Sequence, residues 1–166
     1  MLTAGAPTAK EAAELYEVWA LLEGAAAREF ARRASDAQVL ALRQAFEAIE
    51  TSQHADDAPA AMLEAQSRFY DLILEGADNA TIRSILGSLQ ARIAVFGATT
   101  LTAPGRPTRA VWEICAIVDA IERRDTEAAA AAASFHVRRA GRVLFGSNSA
   151  AEASLDSKHA RSLAHR

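Results

Sequence analysis

The chain has 166 residues, 51% of them hydrophobic, and 18 Lys and Arg against 21 Asp and Glu give a formal charge of −3. This length suits one domain, able to bury roughly 68–70% of its unfolded surface. A net acidic chain is a poor DNA binder by itself, because affinity for the nucleic-acid backbone comes from clustered Lys and Arg. The lone Cys115 excludes an internal disulfide and fits a reducing compartment. There is no signal-type leader and no long apolar run, so the expectation is a soluble cytoplasmic protein with no membrane partner. Abundant Ala, few aromatics and only four Pro favour helix.

Residues 1–7 (MLTAGAP) read as a linker. Thr8 and Glu11 have capping-box spacing, which predicts a helix running to about Arg33. Its apolar stripe is Leu15, Val18, Leu22, Ala26 and Phe30, recurring every three or four residues. Ser35 with Gln38 opens a second helix striped by Val39, Leu42, Phe46 and Ile49. TSQHADDA at 51–58 is a polar break. Pro59 suits the first turn of a third helix, with Met62, Gln66, Phe69, Tyr70 and Ile73 on one face and a close at 76–79.

Asn79 is placed to cap a fourth helix with stripe Ile82, Ile85, Leu89, Ile93 and Phe96. The stretch 97–107, with two Pro and two Gly, predicts an internal loop. A fifth helix carries Val111, Ile114, Val118 and Ile121, and RRD at 123–125 makes a turn. A sixth helix runs from Thr126 to about Phe145, and Gly146 stops it. Residues 147–166 are polar and weakly patterned and read as a flexible tail. Six helices with short connections imply an all-α antiparallel bundle over residues 8–146.

Three stretches carry a resemblance. They are WALLEGAAAREFARRA at 19–34, QSRFY at 66–70 with Asn79, and EICAIVDAIERRDTEAAAAAASFH at 113–136. In this order and spacing they resemble the FCD domain, the all-helical effector-sensing domain of FadR-type GntR-family transcriptional regulators. The resemblance spans residues 15 to about 145. It implies a homodimer whose DNA contact runs through a winged helix-turn-helix domain, expected to be absent from this chain. Where the family commonly has Arg, this chain has Trp19.

The family commonly binds a metal through an Asp and three His. The matching positions here are Gln66, Tyr70, Ile114 and His136. Gln is a weak neutral ligand, Tyr is rarely one and Ile cannot coordinate, so neither a metal nor another cofactor is expected. What remains is a set of polar points on apolar walls, the ordinary make-up of a small-molecule site. The expected ligand-binding residues are therefore Gln66, Tyr70, Ile114 and His136, with Arg92 supplying positive charge if it points inward. The effector would be an acyl thioester, an organic acid or a neutral metabolite. The plainer alternative makes His136 a hydrogen-bonded core histidine and Tyr70, Ile114 and Trp19 packing residues. The domain would then be a purely structural dimerisation or interaction module with a filled pocket. No nucleophile elbow, phosphate loop or paired-carboxylate signature supports an enzyme.

Overall fold

The computed structural model describes residues 8–145, apart from the side chains of residues 9, 93–99 and 145. The segments read as linker and tail lie outside the described residues. Six helices follow in order: α1 (Ala9–Arg33), α2 (Asp36–Ser52), α3 (Ala58–Gly76), α4 (Ala80–Leu101), α5 (Arg106–Glu122) and α6 (Thr126–Phe145). The fold is an all-α bundle, with no strand among the described residues.

The helix starts are set by side chains that satisfy the free N–H groups of a first turn. Thr8 and Ser35 each form a full capping box, with Glu11 and Gln38 respectively. Asp57 accepts from Ala60 N at 3.4 Å, Asn79 from Ile82 N at 3.0 Å and Asp125 from Ala128 N at 3.0 Å. The connection between α4 and α5 is tighter than the sequence predicts. Helix α4 continues to Leu101 and α5 begins at Arg106, so part of the expected loop is helical. Gly105, at φ 71°, precedes α5 without a capping side chain, a left-handed turn position that glycine accepts freely. Pro107 then sits in the first turn of α5, where its missing N–H costs nothing.

All six helices feed the core: Phe30, Phe46, Phe69, Leu86, Ile114 and Ile117 are essentially inaccessible, and α6 adds Ala129 and Ala133. Most of the predicted stripe residues face it, but Val18 and Ile85 are exposed, and the side chains of Ile93 and Phe96 lie outside the described residues. Helices α1 and α6 form the most extensive pair. Small residues let their backbones approach: a Cβ on Gly24 would lie 2.3 Å from Ser134 Oγ, and one on Gly141 would lie 3.1 Å from Tyr16. Ser134 Oγ also donates to Ala20 O at 2.7 Å. At the other end of α1, Arg124 donates to Ala34 O at 2.5 Å, satisfying a carbonyl at the helix terminus. Arg43 bridges α2 to Asp119 and Glu122 of α5. Among the described residues, no helix is long and apolar enough to cross a membrane.

Candidate functional site

A cavity of about 300 Å³ opens between four of the helices. One wall comes from α1 and α6: Tyr16, Trp19, His136, Val137 and Ala140. The facing wall comes from α3 and α4: Leu63, Gln66, Ser67, Tyr70, Gln90 and Thr100. Gln66 and Tyr70 are one helical turn apart and so share a face of α3. The Tyr70 and His136 rings stack across the cavity with centroids 6.2 Å apart and planes tilted by 26°.

Behind this wall lies a buried ionic cluster. Glu113 Oε2 accepts from Arg106 Nη1 and from His136 Nδ1, each at 2.7 Å. The side chains of Arg106, Glu113 and His136 are each less than a tenth exposed. Burial pushes the Glu113 carboxyl up, but the hydrogen bonds it accepts from His136 and Arg106, with the Arg106 charge, outweigh it and hold the group below its ordinary value. Burial pushes the His136 imidazole down, against the pull of its Glu113 hydrogen bond. The pair is therefore a carboxylate and a neutral imidazole near pH 7. A carboxylate can only accept, so Nδ1 carries the proton and Nε2 keeps its lone pair.

A second buried acid stands nearby. Glu23 is 1% exposed; its Oε1 accepts from Trp19 Nε1 at 3.3 Å, and burial lifts its pKa to about 7. Among the described residues, four buried polar atoms have no hydrogen-bond partner: Glu23 Oε2, Gln66 Nε2, Tyr70 Oη and Arg106 Nε. Buried polar groups are nearly always paired, and an unpaired one costs on the order of 1–3 kcal/mol. Two of the four belong to cavity-lining residues. Burial and the nearby Glu23 also raise the Tyr70 phenol well above its ordinary pKa, so it stays protonated.

Of the five residues singled out from sequence, the structure gathers Gln66, Tyr70 and His136 around the cavity and places the other two elsewhere. Ile114 is fully buried in the packed core. Its neighbour Glu113, about 100° around α5, is the residue that meets His136. Arg92 is exposed on α4, and its charge is felt by the exposed Glu11. The buried cation is Arg106. Trp19, expected to serve packing, lines the cavity and holds Glu23. Sequence reasoning missed Glu23, Arg106 and Glu113 as members of the site. A second, more open groove of about 530 Å³ runs along α1 and α6 past Leu21, Arg28, Phe135 and Arg138; none of the four unpartnered atoms belongs to it.

The FCD family model matches residues 14–139, which covers the whole set of cavity-lining positions but Ala140. The chain belongs to the FCD domain family. FCD domains are the effector-binding, dimerising regulatory domains of GntR-family transcriptional regulators. A solved structure of Streptococcus agalactiae GntR matches this FCD domain with a TM-score of 0.66 at 23% identity, covering 79% of this chain and 58% of that one. The likeness shows the shared all-helical fold, and this chain spans somewhat under two thirds of that protein's length. No curated protein matches the chain.

The residues of this FCD domain do not suit the metal its family commonly holds. His136 Nε2 is a competent donor, and its Glu113 partner is the kind of carboxylate that orients a metal-bound imidazole. The other donors fail. Gln66 offers only a neutral amide and Tyr70 a phenol that resists ionisation. No group of three His, Cys, Asp or Glu side chains is placed to hold an ion among the described residues.

Proposed function

We propose that this FCD domain is the ligand-sensing and dimerisation module of a GntR-type transcriptional regulator, and that it binds a small organic effector in the bundle cavity without a metal. The observation that carries this reading is the cavity of about 300 Å³ bordered by Gln66 and Tyr70, whose buried polar atoms lack partners. A filled, purely structural pocket would lack the open volume. The volume falls at the small end of the roughly 300–1,000 Å³ typical of ligand sites. Regulation follows if the effector favours one arrangement of two protomers over another, since a ligand shifts an equilibrium only by its differential affinity. DNA contact belongs in this reading to a winged helix-turn-helix domain, and the bundle itself catalyses nothing.

Native mass spectrometry of the purified protein, compared with its denatured mass, tests the proposal. A dimer carrying an organic adduct that Tyr70→Ala and His136→Ala remove without dissociating the dimer is the expected result. Bound zinc or nickel would overturn the metal-free reading. A dimer that stays empty and is stabilised by no metabolite would return the domain to a structural role.

A further inference from the structure

The cavity wall has a charge pattern that narrows the ligand. Among the described residues none of its side chains is formally charged: the polar ones are amides, hydroxyls, an indole and the His136 imidazole. The adjoining stretch 93–99 contains no ionisable residue. The cations beside that wall, Arg106 at 2.7 Å and Arg139 at 4.0 Å, already face Glu113. An incoming carboxylate would lose its water and find no free positive charge, an expensive transfer in a buried site.

The same groups fix a donor and acceptor pattern. Because Glu113 accepts the Nδ1 proton, His136 keeps the Nε2 lone pair as an acceptor on the cavity wall. Gln66 and Tyr70 line the facing helix, and their donor atoms Nε2 and Oη are buried without a protein partner. A complementary ligand therefore brings one donor to the α6 side and one acceptor to the α3 side, on an apolar body matched to Trp19, Leu63 and Val137.

We propose that the cavity takes an uncharged ligand in which a carbonyl or amide oxygen stands close to a hydroxyl or N–H donor, and that it discriminates against the corresponding carboxylate. Glu113 is the positioning residue of this device: it touches no ligand and acts by holding one tautomer of His136. The inference rests on the cavity being the effector site.

Two measurements on the full chain test it. The first uses the Trp112→Phe variant, which removes an indole that is 70% exposed and leaves Trp19 as the sole reporter. Trp19 emission is titrated with matched pairs: mandelamide and mandelate, lactamide and lactate, 3-hydroxybutyramide and 3-hydroxybutyrate. The amides are expected to bind at least about tenfold more tightly than their acids. Acids binding as well as or better than their amides would overturn the inference and leave the effector site standing. Silence from all six probes would count against both. The second measurement needs no ligand. Long-range ¹⁵N–¹H NMR of the imidazole at pH 7 should show His136 as the Nδ1–H tautomer, and Glu113→Gln should mix the tautomers. An Nε2–H tautomer or an imidazolium in the unsubstituted protein would overturn the inference alone.

Discussion

Replacing Tyr70 by Phe removes one oxygen atom and should make the empty domain more stable. The Tyr70 hydroxyl is buried and unpartnered, and such a group costs about 1–3 kcal/mol relative to a paired or absent one. Phe keeps what the ring already does: the edge-on contact with Phe69, at 5.4 Å and 88°, and the stacking on His136. Taking the low end, the substitution should stabilise the apo protein by about 1 kcal/mol, or roughly 2–4 °C in Tm for a domain of this size. The same change should weaken a ligand that accepts from the hydroxyl by about 1 kcal/mol, roughly fivefold. Thermal unfolding by circular dichroism and calorimetric titration with the tightest amide probe read the two effects side by side. A fall in Tm of 2 °C or more would refute the reasoning, because it would mean the hydroxyl has a partner whose loss is felt.

Glu113→Ala should be far more costly than its size implies, because it orphans Arg106 and His136 together. Breaking a buried pair costs roughly 3–5 kcal/mol, which chemical denaturation would read as a lowered midpoint, with Glu113→Gln milder. Gly76→Ala would set a Cβ 2.5 Å from the buried Phe30 ring, an overpacking worth about 1–3 kcal/mol that should appear as a lowered Tm despite the better helix propensity of Ala. Glu23 supplies a pH dependence. Its folded pKa is raised from 4.5 to about 7, so its contribution is fully present below pH 4.5 and is lost as pH rises through about 7. Its ionisation therefore costs the fold on the order of 3 kcal/mol by pH 8. Buried His136 runs the other way, losing stability as pH falls below its ordinary value of 6.5. Glu23→Gln should therefore gain on the parent protein between pH 5 and pH 8 in urea midpoints, and an unchanged difference would show that Glu23 is solvated or paired.

Much of the architecture is legible in the sequence because its signals are local. Thr8 with Glu11, Ser35 with Gln38, and Asn79 announce helix starts through the chemistry of a free first turn, and the stripes of α2, α3 and α5 point at the core. The α4–α5 connection was harder, because Pro104, Gly105 and Pro107 read as a continuous loop when Pro107 in fact opens a helix. With Arg106 read as loop, no spacing announces its pairing with Glu113. Once α5 begins at Arg106, Arg106 and Glu113 are seven residues apart and share a face two turns long. Glu23 left a clearer trace: a lone carboxylate on the Trp19, Ala27 and Phe30 face of α1. Gln66, Tyr70 and His136 came from their places in a family pattern, and the cavity brings them together. Ile114 came from the same pattern, but which of two adjacent residues faces inward depends on the rotation of α5, which no spacing rule fixes to within one residue. Arg92 was suggested by charge alone, and its outward direction belongs to tertiary structure.

The close fit of α1 against α6 also bears on the size of an occupant. Gly24 against Ser134 and Gly141 against Tyr16 leave that pair without slack, so the wall carrying Trp19 and His136 is a fixed jaw. The opposite jaw is built from α3 and α4. An occupant that needs more room must therefore gain it on the α3 and α4 side, so the size limit of the cavity is set by those two helices and not by the wall that carries Trp19 and His136.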